Sequence, residues 1–140
     1  MSSVRKKDQT PHRFTTLDLI LDMYNHTTNL IANEKIFDPK FRSLIDKMEN
    51  EAATIYHLCR AANEDFDNRK PEEAEIRIRM QAEAIKRCLW LKSYIFLAQR
   101  KFHLRAKKVA YWVSLVNKAM ESIKGWHVAE KRNYKEKYGL

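Results

Sequence analysis

Two glycines, Gly125 and Gly139, and three prolines, Pro11, Pro39 and Pro71, are the only backbone punctuation in a chain of 140 residues. Sheets and doubly wound folds need turn residues at short intervals, so such a chain is restricted to a few long helices. The length suits one domain with a real core. No apolar run approaches the ~20 residues that cross a bilayer, so no membrane contact is expected. The polar start Met1-Ser-Ser-Val-Arg5 has no apolar stretch behind it and does not read as a secretory leader. Cys59 and Cys88 form neither a Cys-x-x-Cys pair nor a disulfide framework; they read as buried thiols in a reducing cytoplasm.

Apolar spacing divides the chain into residues 1–13, a flexible basic arm; 14–135, an antiparallel up-down four-helix bundle; and 136–140, a tail. A first helix is expected over 14–34, with Thr15 or Thr16 as N-cap and a stripe of Leu17, Ile20, Leu21, Tyr24, Thr28 and Ile31. Asp38-Pro39 predicts the start of a second helix to Ala62, through Phe41, Leu44, Ile45, Met48, Ala52, Ile55, Leu58 and Cys59. Residues 63–70 form the clearest loop. Pro71 with Glu72 and Glu73 opens a third helix to Lys101, with Ile78, Ala82, Ile85, Leu89, Ile95 and Phe96 as its stripe and Met80, Ala84, Leu91 and Ala98 on an adjoining face. A break at Phe102-His103 precedes a fourth helix over 104–135 through Val109, Val113, Val116, Met120 and Ile123.

Charge is unevenly distributed. Residues 1–66 carry nine Lys/Arg against ten Asp/Glu, whereas 67–140 carry eighteen against eight. Segregated positive charge points to a polyanionic partner. Arg79, Lys86, Ser93 and Arg100 recur every seven residues on the third helix, flanked by Arg77, Arg87, Lys92 and Lys101. The fourth helix contributes Arg105, Lys107, Lys108, Lys118, Lys124, Lys131 and Arg132. Pooled on two neighbouring helices, these would make a strip for the phosphates of RNA or DNA. Trp90, Tyr94, Phe102, Tyr111, Trp112 and Trp126 interleave with them and could stack on unpaired bases. Three Trp, six Tyr and six Phe exceed the core space of four thin helices, so some rings are expected against another subunit.

Catalytic signals are sparse. A di-metal carboxylate bundle needs Glu-x-x-His pairs, and none of the five histidines has a Glu three residues before it. Asp22 and His26 share a helical face, but two ligands make a weak metal site and a surface ion pair is the simpler reading. No phosphate-binding glycine loop or nucleophile elbow is present. The expectation is a non-enzyme without cofactor or metal.

The stretch from Arg87-Cys-Leu-Trp-Leu-Lys92, through the turn Phe102-His103-Leu104, to Gly125-Trp126 and the basic tail resembles the accessory variability determinant (Avd) proteins of diversity-generating retroelements. These belong to a wider group of small four-helix bundles that includes proteins encoded in ribosomal-RNA intervening sequences. Lys124 stands where the family often has a small residue before the glycine. The resemblance implies a barrel-like homopentamer with no catalytic residues. It would associate with a reverse transcriptase and its RNA during mutagenic cDNA synthesis. Arg87 and Lys92 would fall on the family's basic third-helix surface, and Gly125 would allow close helix approach beside Trp126. An interaction bundle without a polymerase partner and a small metal-binding bundle enzyme are the competing readings.

Overall fold

The computed structural model describes the backbone of residues 11–139 and side chains from residue 15 onward. Four helices make up the architecture: α1 (Pro11–Ile31), α2 (Arg42–Glu64), α3 (Pro71–Lys101) and α4 (Ala106–Tyr138), with a short 3-10 turn at Pro39–Phe41. Each helix packs on two others, α1 on α2 and α4, and α3 on α2 and α4. Short connections make successive helices antiparallel, so α1 and α3 lie on opposite corners of a four-cornered bundle.

Local chemistry explains most of the boundaries. Asp38 accepts the Lys40 N–H at 3.0 Å and caps the turn that leads into α2. Pro71 begins α3 with Glu72 and Glu73 in its first turn, at the positive end of the helix dipole. α3 ends at Phe102, and His103 takes the left-handed conformation at φ 56. Leu104 N–H then bonds back to Gln99 C=O at 3.0 Å, the pairing that closes a Schellman turn. Glycine usually fills the His103 position, which is why the sequence marks this turn so faintly.

Expected boundaries move at both termini of the bundle. α1 is described from Pro11, so residues 11–13 are helical rather than part of an arm. Residues 1–10 of the expected arm lie outside the described residues. Thr16 is no cap: it is fully buried, 2.6 Å from the Ser122 hydroxyl of α4. At the other terminus α4 runs through residues 136–138, pinned where Tyr138 Oη donates to Asn68 C=O at 2.9 Å, and it stops at Gly139 with φ 73.

The core joins Ile20 and Met23 of α1, Met48 and Ile55 of α2, Leu91 and Ile95 of α3, and Trp112, Val116 and Ile123 of α4. Cys59 and Cys88 are fully buried. Burial pushes the Cys88 thiol up to about 12, so it is not a nucleophile at neutral pH. Two stripes are rotated from expectation. On α3 the adjoining face, with Ala84, Leu91 and Ala98, points inward, while Ala82, Leu89 and Phe96 face solvent. On α1, Thr16 and Thr27 are buried and Leu21 is exposed. Hydroxyls can enter a core when their bonds are satisfied, and Thr27 Oγ1 accepts the Trp112 indole N–H at 2.9 Å.

Candidate nucleic-acid interface

The cationic residues fall into two sets. The first is neutralised. Arg77 is 2 % exposed and gives two bonds to Glu130, Nε to Oε2 at 2.9 Å and Nη2 to Oε1 at 3.0 Å. Its third nitrogen donates to the carbonyls of Ala62 and Phe66. Arg77 is therefore an interior strut that ties α3 to α4 and to the α2–α3 loop, and it is removed from the phosphate-contacting set. Gln81 completes this buried cluster, at 3.4 Å from Glu130 and 3.2 Å from His127 Nδ1. Burial alone would push the Glu130 carboxyl up; the bonds and charge of Arg77, with Gln81 and Asn68, outweigh it and hold the group below the usual range. Burial also lowers His127, helped by Lys131.

Arg87 is likewise engaged. It bonds Glu83 at 2.9 Å within α3 and Glu51 of α2 at 3.2 Å, and its guanidinium lies 5.0 Å from the Trp90 ring centroid. Lys86 pairs with Glu83 at 3.3 Å and Lys124 with Glu121 at 3.4 Å, both exposed contacts of little strength. Lys101 sits 4.9 Å over Phe41 and, with no ion-pair partner among the described residues, keeps its charge uncompensated.

The second set is unpaired. Arg79, Lys92, Arg100, Arg105, Lys107, Lys108, Lys118, Lys131 and Arg132 have no ion-pair partner among the described residues. They do not form one strip along α3 and α4. Arg87 turns toward α2. Lys92 and Lys124 both act on the Cys88 thiol and so flank the α3–α4 seam, while Lys108 acts on His26 of α1. Four of the unpaired cations, Arg100, Arg105, Lys107 and Lys108, gather where α3 turns into α4, while Arg79, Lys131 and Arg132 lie toward the opposite end. At the α3–α4 turn a cavity of about 460 Å³ is lined by Lys35, Ile36, Phe102, His103, Leu104, Arg105 and Lys108. Phe37 and Phe102, 4.8 Å apart, hold the α1–α2 connection against this turn. Lys35 lines this cavity, and Lys40 sits over Phe41, whose ring packs on Phe102; both come from the half of the sequence that has no net positive charge, a contribution visible only in three dimensions.

α4 begins in this cluster with no side-chain cap and no acidic residue in its first turn, and Arg105 occupies the cap position. Cations at the positive end of a helix dipole repel it, so local stability is given up here. Among the expected stacking rings, Trp112, Trp126 and Phe102 are buried and Tyr94 is half-buried, leaving Trp90 and Tyr111 exposed. His26, expected beside Asp22, is set edge-on to Tyr111 at 5.1 Å, and burial lowers its basicity, with Lys108 adding to the effect. No group of three or more His, Cys, Asp or Glu that could hold a metal ion occurs among the described residues, and no helix there is long and apolar enough to cross a membrane. No protein-family model matches the chain, and no curated protein or solved structure matches it significantly.

Proposed function

We propose that this protein is a non-catalytic accessory factor that holds a template nucleic acid alongside a reverse transcriptase, as the likeness to the Avd proteins implies. One observation carries the nucleic-acid part: the unpaired cations meeting at the α3–α4 turn, where Arg105, Lys107 and Lys108 crowd an uncapped helix start. Polyphosphate would offset that repulsion and release its own counterions on binding. The polymerase and the homopentamer come from the family likeness. The exposed Leu89, Trp90, Phe96 and Leu97 of α3 suit protein contacts and equally support an interaction bundle with no polymerase partner.

The test is binding of a labelled single-stranded RNA to the full chain across a salt series, with a co-expressed reverse transcriptase as second ligand. Affinity is expected to fall steeply with salt, by roughly 0.7 in log–log slope for each phosphate neutralised. A flat response would remove the nucleic-acid role. RNA binding without polymerase capture would leave the interaction-bundle reading in place.

A further inference from the structure

Between α2 and α3 lies a groove of about 340 Å³ with an apolar floor of Phe41, Leu44, Tyr94 and Leu97. Leu97 is 55 % exposed, so the floor opens directly to water. Three lysines, Lys40, Lys47 and Lys101, rim the opening. Two of their ammonium groups flank one ring, at 5.3 Å and 4.9 Å from the Phe41 centroid. No carboxylate lines the groove among the described residues; Asp38, 3.9 Å from Lys40 and half exposed, makes a weak contact with one rim lysine. An apolar floor within a cationic rim calls for an apolar side chain beside carboxylates. A phosphate backbone gains nothing from such a floor.

The same molecule carries the complement elsewhere. On the outer face of α1, Asp18, Leu21 and Asp22 are all exposed, and the spacing of three and four residues sets them side by side. Leu21, at 39 % exposure, lies on one side of the neighbouring carboxylates, and neither Asp18 nor Asp22 has an ion-pair partner among the described residues. The chain cannot reach its own groove with this ridge, because α1 and α3 occupy opposite corners. The N-terminal residues are a poor occupant too, since Arg5, Lys6, Lys7 and Arg13 outnumber Asp8.

We propose that a second copy of the chain seats the Asp18–Leu21–Asp22 ridge of its α1 in the lysine-rimmed groove between α2 and α3. Ridge and groove are different surfaces, so the contact is head-to-tail. Repeated, it closes a ring or extends a filament, and it cannot make a two-fold dimer. Leu21 fills the apolar floor while Asp18 and Asp22 face the lysines, which makes the pairing selective as well as attractive. This contact gives a location to the oligomer in the proposed function but does not depend on nucleic-acid binding, since Arg105, Lys107 and Lys108 take no part in it.

Sedimentation velocity on the full chain tests it. Wild type is expected to be oligomeric, and Lys47→Asp with Lys101→Asp, or Asp18→Lys with Asp22→Lys, to raise the dissociation constant roughly a hundredfold. All four positions are solvent-exposed, and unchanged helicity by circular dichroism verifies folding. Combining both pairs in one chain reverses both surfaces and is expected to restore the oligomer. Leu97→Glu supplies a second route to dissociation through the floor. A monomeric wild type, charge variants that stay assembled, or a four-fold exchange that fails to reassemble would each overturn the contact. Restored assembly together with salt-independent RNA binding would keep the contact and discard the nucleic-acid reading.

Discussion

The two ends of the bundle solve the problem of charge in opposite ways. At the end formed by the α2–α3 loop and the close of α4, charges are matched. Arg60, Arg69, Lys70, Arg77, Arg79, Lys131, Arg132, Lys135 and Lys137 share this end with Glu64, Asp65, Asp67, Glu72, Glu73, Glu75, Glu130 and Glu136, a near balance. Many are joined in pairs: Arg60 with Glu64 and Asp65, Arg69 with Asp67, and Arg77 with Glu130 in the interior. Arg69 holds the Asp67 carboxyl down to about 2. At the other end Lys35, Lys40, Arg42, Lys47, Arg100, Lys101, Arg105, Lys107 and Lys108 outnumber Glu34, Asp38 and Asp46 three to one. One end uses charge to hold helices together; the other accumulates it without compensation, which is the arrangement expected of a surface whose counter-charge arrives from outside.

The largest effect that separates the ends is on stability. Glu130→Ala leaves a buried guanidinium without its carboxylate and is expected to cost about 3–5 kcal/mol; chemical denaturation measures it. Replacing Arg100, Arg105, Lys107 and Lys108 by Glu should leave the denaturation midpoint unchanged or raised. It should also lower RNA affinity at least tenfold and reduce the salt slope by roughly three. Equal destabilisation by both changes would erase the contrast. A smaller and sharper case is Arg105→Asp, which supplies the missing cap and is expected to add about 1 kcal/mol while weakening RNA binding. A gain in stability paired with a loss in affinity is the signature of a region shaped for a ligand.

The smallest effect is in pH. His26, toward the cationic end, and His127, toward the matched end, both have lowered pKa values, burial being the larger cause in each. The unfolded chain therefore binds more protons than the folded one as pH falls below 6.5, the ordinary histidine value, and stability declines there. Glu130, held below its ordinary 4.5, adds a further loss at lower pH, as pH falls through its folded value. Melting temperature against pH, compared with His127→Gln, checks the sign: the variant's curve should be flatter between pH 7 and the onset of carboxylate titration.

Much of this architecture was legible in the sequence. Scarce glycine and proline predict long helices, Pro39 and Pro71 lie at the starts of the 3-10 turn and α3, and apolar spacing marks Cys59 and Cys88 as buried. Arg77 was not legible, because an arginine inside a cationic heptad reads like its exposed neighbours until Glu130, 53 residues away, is seen to meet it. Glu51, buried beside Arg87, hides in the same way. Lys35 and Lys40 were missed for the converse reason, since a tally along the chain assigns them to a half without net positive charge and only the fold brings them to the α3–α4 turn. Hydrophobic patterning also misplaced the inner faces of α1 and α3, because it does not credit a threonine, glutamine or arginine whose polar atoms are fully bonded.

Hydrogen–deuterium exchange of the full chain with and without single-stranded RNA, at low salt, addresses the charge polarity directly. Protection is predicted over residues 34–42 and 100–109, with the peptides around 63–75 and 130–138 unchanged. Protection confined to the latter peptides, or none at all when RNA is bound, would contradict the assignment of the uncompensated end as the docking surface.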